Sequence, residues 1–105
     1  MNIISLIVFD FRCQKRYQKD IKAICKWLDI SKPNRICFLP DELKKRNCRG
    51  EYHYQSRIII IYVPDYLART HNAFIVETIA HELIHHYQND LGIVMSATEI
   101  VEKKC

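Results

Sequence analysis

Ile58-Ile59-Ile60-Ile61 is the stretch that most limits the architecture, because four consecutive β-branched residues suit a strand covered on both faces. Pro64 ends that strand, predicted over Arg57 to Val63, and Pro40 ends an earlier one over Arg35 to Leu39. Between them lies a third β-like segment, Glu51 to Gln55, preceded by a turn at Asn47 to Gly50. Upstream, Tyr17, Ile21, Ile24, Cys25 and Leu28 recur at helical spacing from about Gln14 to Asp29, and Pro33 closes that helix after Ser31. Asn2 to Phe9 is a continuous apolar run that fits a strand and an extension of this helix equally well. Downstream, a helix is expected from Asn72, a good N-cap, to Gly92, the usual residue at a left-handed helix end. Ser96-Ala97-Thr98-Glu99 then spells a capping box, which predicts a short further helix running toward Cys105. The 105 residues form one domain, residues 1–105, of α+β class. Its core is a small three- to four-stranded mixed or antiparallel sheet, packed on a backing helix and the helix after Asn72.

That last helix carries the chemistry. His81-Glu82-Leu83-Ile84-His85 places two imidazoles at i and i+4 of one face with a carboxylate between them, the spacing with which one helix chelates a metal ion. At about 100° per residue, Thr78, His81, Glu82, His85 and Asn89 fall within one arc, and Val76, Ile79, Ala80, Leu83 and Tyr87 fall opposite. The metal face is therefore expected to look away from the core. Catalytic zinc takes three protein ligands and keeps one position for water, so His81 and His85 need a third donor. Gly92 turns the chain, and His85 and Glu99 each lie seven residues from it, so an antiparallel return brings Glu99 level with His85. Glu102, one turn on, is the alternative, as is a plain capping role for Glu99. His86 and His71 are weaker rivals for the third position; His86 projects to the edge of the apolar arc and is expected to be a packed or surface histidine rather than a ligand. Glu82 would be the general base, taking the proton of the attacking water and passing it to the departing amine. For the oxyanion, Tyr62, Tyr66, His71, His86 and Tyr87 are open candidates. An extended polypeptide substrate is expected to pair with the strand Arg57 to Val63 or with its neighbour Glu51 to Gln55.

The charge balance of 16 basic and 12 acidic residues is concentrated in Arg12 to Lys22 and Lys44 to Arg49. Neither run interleaves aromatic residues as a nucleic-acid surface would, so nucleic acid is not the expected partner. Ile3 to Phe11 is interrupted by Ser5 and Asp10 and lacks a preceding basic residue, which argues against a signal peptide, a membrane span or a membrane partner. The five cysteines include no Cys-x-x-Cys pair, arguing against a disulfide framework and for a reducing, cytoplasmic setting. Two rival readings are a DNA-associated or regulatory zinc-binding protein without general proteolytic activity, and a binding module whose catalytic apparatus has decayed.

The order strand, His-Glu-x-x-His helix, turn and glutamate helix resembles the gluzincins. At this length it is most similar to the minigluzincins, small archaeal zinc metallopeptidases with a zincin-like fold. The resemblance rests on Ile58-Ile59-Ile60-Ile61-Tyr62-Val63, on Thr78-Ile79-Ala80-His81-Glu82-Leu83-Ile84-His85-His86 and on Ser96-Ala97-Thr98-Glu99. It implies Zn2+ as cofactor, His81, His85 and Glu99 as its ligands, Glu82 as general base, and a zymogen-like latency in which self-association or part of the chain occludes the cleft. Cys105 and its terminal carboxylate are the candidate occluding groups, because thiolate is a strong zinc ligand. Lys103 departs from the family pattern, standing four residues after Glu99 where an aspartate often steadies a ligand histidine.

Overall fold

The computed structural model describes residues 2–92 and 103–104. Helix α1 (Ile3–Leu28) settles the ambiguous N-terminal run as helix, begun by Asn2, whose side chain accepts a bond from the Ser5 amide at 2.8 Å. It ends at Asp29, in left-handed conformation with φ 55°, four residues before Pro33. Strands β1 (Arg35–Pro40), β2 (Gly50–His53) and β3 (Ile58–Val63) follow, then helix α2 (Ala73–Asp90) and the two-residue strand β4 (Lys103–Lys104). The sheet is mixed and ordered β1-β3-β2-β4, with β1 parallel to β3 and β2 antiparallel to both β3 and β4.

β3 occupies the centre, as its isoleucine run demands, but among the described residues only one of its faces is sealed by helices. Ile59, Ile61 and Val63 join Phe38 and Tyr52 in one core with Cys13, Tyr17, Ile21 and Cys25 of α1 and Ile75, Ile79 and Leu83 of α2. Side chains alternate along a strand, so Ile58 and Ile60 project from the other face, where they are half-buried. Tyr62 on that same face is buried, so among the described residues the outer face of the strand is covered in part, where both faces were expected to be covered. Residues 96–102, which carry the predicted glutamate helix, lie outside the described residues. Lys103–Lys104 is a strand on β2, so that helix does not run on toward Cys105 as expected. The physical reason is the outer edge of β2, whose free backbone groups offer a ladder to an extended segment.

The outer edge of β1 is closed differently. Asp10 on α1 accepts the Phe38 amide at 2.8 Å, and the Gln14 side chain donates to the Ile36 carbonyl. α1 also sets the start of α2, since the Tyr17 hydroxyl accepts the Asn72 amide at 3.1 Å and Asn72 in turn caps the Phe74 amide at 2.8 Å.

The far end of α2 is fixed by a buried polar chain. His86, fully buried, gives its Nε2 proton to the Ser31 carbonyl, which leaves Nδ1 to accept the Tyr52 hydroxyl at 2.7 Å; that hydroxyl accepts from Asn89 at 2.9 Å. Burial holds the His86 pKa below the ordinary histidine value, consistent with a neutral ring. Of the packed and surface positions open to His86 in the sequence, the structure shows the packed one. Tyr52→Phe removes the hydroxyl, leaving His86 Nδ1 without its donor and Asn89 with the Tyr54 carbonyl alone, and a loss of about 1–3 kcal/mol is expected in urea unfolding.

Candidate functional site

α2 is buried along two stripes. Ile75, Ile79, Leu83 and His86 enter the core; on the metal face Thr78, Glu82 and His85 are also buried while His81 is exposed, so that face opens to solvent at His81 as the helical projection suggests but is covered at the other three. The reason is β2, which runs over that face beginning at Gly50. A Cβ on Gly50 would lie 3.1 Å from both Cγ and Oε2 of Glu82 and 3.0 Å from the Ile60 carbonyl oxygen. Only the missing side chain lets the strand lie this close to the helix. Gly50 is therefore the first residue of β2 and the roof of the site, not the end of a turn.

His81 and His85 converge as the pentapeptide requires. Their Nε2 atoms stand 3.2 Å apart, with the rings nearly perpendicular at 88°. Two imidazole nitrogens held about 2.05 Å from one tetrahedral ion would stand about 3.3 Å apart, so this pair already has the spacing that a shared metal demands. The Gln88 side-chain oxygen lies 3.4 Å from His85 Nδ1, where it can accept the ring proton and so fix the tautomer that carries its lone pair on Nε2, toward His81. Gln88 stands three residues after His85, a spacing readable in the sequence, yet it is not among the expected site residues.

Glu82 projects into the space under Gly50. It is 1% exposed, and its Oε1 has no hydrogen-bond partner. Burial first, and then the Glu51 carboxylate, push its pKa up to about 8. Glu51 is itself buried, 3.2 Å from His53 Nε2 and hydrogen-bonded to Tyr62. No periodicity marks Glu51, and it is the influence on Glu82 that the sequence hides most completely. A cavity of about 420 Å³ opens beside these groups, lined by Asn47, Cys48, Arg49, Gly50, Glu77, Thr78, His81 and Glu82. The Arg49 guanidinium stacks over the Phe74 ring at 3.9 Å. None of the oxyanion candidates lines this cavity. Tyr66 is 83% exposed, and His71 is bonded to Asp20 and tilted against Tyr17.

Glu99, the expected third ligand, and its alternative Glu102 lie outside the described residues, as does Cys105. Among the described residues no cluster of three or more His, Cys, Asp or Glu side chains forms a metal site. The chain is thus a small α+β protein whose His-Glu-x-x-His helix lies beneath a glycine-started strand. No family model, curated protein or solved structure matches it. With neither a three-donor cluster among the described residues nor any relative found, the resemblance to the minigluzincins and to gluzincins at large does not hold. Three residues of a helix fix the local chelate, whereas the resemblance drew its remaining support from a generic succession of strand, helix and helix.

Cys13, Cys25 and Cys37 are free, but Cys48 is disulfide-bonded, which departs from the expectation of reduced thiols throughout. No helix among the described residues is long and apolar enough to cross a membrane.

Two outcomes follow from this geometry. Gln88→Ala is expected to weaken Zn2+ binding roughly tenfold, read by competition against a chromophoric chelator. The folded metal-free protein holds on Glu82 a proton that a carboxyl of ordinary value, 4.5, releases far earlier. The resulting stability is complete below that value and disappears as the pH rises toward 8. Urea unfolding with chelator present should therefore show Glu82→Gln gaining on the wild type by a few kcal/mol, on the order of the linkage energy, between pH 5 and pH 8.

Proposed function

We propose that this protein is a metal-dependent endopeptidase that hydrolyses extended polypeptides in the cleft under Gly50. The observation that carries the reading is the pair of imidazole nitrogens 3.2 Å apart beside a buried carboxylate oxygen without a partner. His81 and His85 would hold a zinc ion, with Glu99 proposed as the third donor and Glu102 as its substitute. Bound there, zinc would supply Lewis-acid polarisation of the scissile carbonyl and acidify water.

Glu82 does the proton work. Its carboxyl is sheltered from solvent; ionised in the zinc-loaded protein, it would take a proton from the attacking water and return it to the departing amine as the C–N bond breaks. His85 is oriented by Gln88, and Gly50 keeps the roof low enough to exclude bulk water from the carboxyl. β3 cannot receive a substrate strand, because β1 and β2 pair with its two sides. β4 pairs with β2 at Tyr52 and His53, and the cavity beside Gly50 is the proposed place for the substrate. Arg49 beside it would favour carbonyl-rich or acidic segments.

The test is cleavage of casein and of a quenched fluorescent peptide set by zinc-loaded wild type and Glu82→Gln. Wild-type cleavage abolished by chelator and restored by zinc, with a loss of about a hundredfold or more in the variant, is the expected result. Equal cleavage by the two proteins would overturn the assignment. Stoichiometric zinc with no cleavage by either would favour a zinc-binding protein without proteolytic activity.

A further inference from the structure

The solvent side of α1 changes chemistry along its length. Ile3 (73% exposed), Ile4 (70%), Ile7 (62%), Val8 (40%) and Phe11 (58%) all precede Cys13, the first buried residue of the helix. On a helical projection they occupy an arc of roughly 140°. Lys15, Lys19, Lys22 and Lys26 are exposed as well. They continue the same side of the helix within an arc of about 60°. The two regions touch: Lys15 Nζ lies 4.9 Å from the centre of the Phe11 ring. The only acids of the helix are engaged elsewhere, Asp10 with the Phe38 amide and Asp20 with His71.

We propose that this face of α1 docks on the surface of an anionic lipid bilayer, its first three turns lying at the headgroup and acyl-chain boundary and its lysine row on the headgroup phosphates. An amphipathic helix with large apolar side chains at one end and lysines along the same side matches such an interface in both its terms, apolar burial and charge. The charge complementarity selects this occupant over a second copy. Apposing two copies in parallel along the whole face would set lysine row against lysine row, an antiparallel pair would set each lysine row against the other copy's apolar end, and restricting contact to Ile3–Phe11 leaves a strip about 13 Å long, too small for the roughly 1,000 Å² of a stable interface. Nucleic acid would satisfy the lysines but leave the five apolar side chains without a role. The sequence argument against a membrane partner concerned spanning segments, and an interfacial helix needs none. The surface lies on α1, apart from the cleft on α2, and stands independently of the proposed activity.

The experiment is co-sedimentation of the full chain with phosphatidylcholine vesicles and with vesicles in which phosphatidylglycerol replaces about a third of the lipid. Depth is read from the emission of a Phe11→Trp, Trp27→Phe protein, which carries its only tryptophan at the proposed contact. The protein is expected to sediment with the anionic vesicles only, with a blue shift in that emission. Ile7→Glu with Phe11→Glu, and Lys15→Glu with Lys19→Glu and Lys22→Glu, should each reduce partitioning by roughly tenfold or more. All five side chains are exposed, and circular dichroism checks that the fold survives. Three results would overturn the proposal: no sedimentation with anionic vesicles at low salt; binding that ignores the Ile7 and Phe11 changes and is matched by duplex DNA; or a solution dimer that Ile7→Glu dissolves while vesicles are not bound.

Discussion

The approach of Gly50 to Glu82 governs the functional half of this molecule. A strand normally stands away from a helix by the depth of its side chains, and here that depth is removed at one residue. The carboxyl below then loses water on one side without gaining a protein partner for Oε1. Its elevated proton affinity and the shape of the cleft both follow from this contact. The glycine acts through what it lacks.

A contact this close needs a frame that does not drift, and the frame is built from both ends of α2. At its start, Tyr17 of α1 accepts the Asn72 amide, so the first turn is registered against the backing helix. Near its end, Tyr52 of β2 is bonded to His86 and Asn89, so the strand above the site and the helix below it share buried hydrogen bonds. Arg57, in the hairpin that follows β2, reaches Asp90 at 2.5 Å and sets a positive charge against an acid at the unfavourable end of the helix dipole. His81 and His85 lie between these fixed points, and their convergence is a property of the whole assembly as well as of their spacing.

Much of this was legible beforehand where the signal is local. The i and i+4 histidines, the Asn72 cap and the three strand segments follow from period, propensity and steric rules that act over a few residues. What was not legible depends on contacts between distant segments. Gly50 reads as a turn residue until β2 is placed above α2, and Glu51 reads as a surface acid until Tyr62 and His53 enclose it. The outward-looking metal face holds at His81 and not at Thr78, Glu82 and His85 for the same reason: a projection of one helix places polar residues together but says nothing of what covers them. The isoleucine run located the central strand correctly, yet could not tell a strand sealed on both faces from one half-covered on its outer side.

The closure of β1 by α1 has a consequence for assembly. Side chains of Asp10 and Gln14 take up backbone groups that an edge strand would otherwise leave open, so no incoming chain can extend the sheet there without first displacing a helix. A ribbon of copies joined margin to margin requires two receptive margins per molecule, and this sheet retains at most one. Growth by that route stops at a pair, which makes the fold self-limiting against fibre formation even though its central strand is a run of isoleucines.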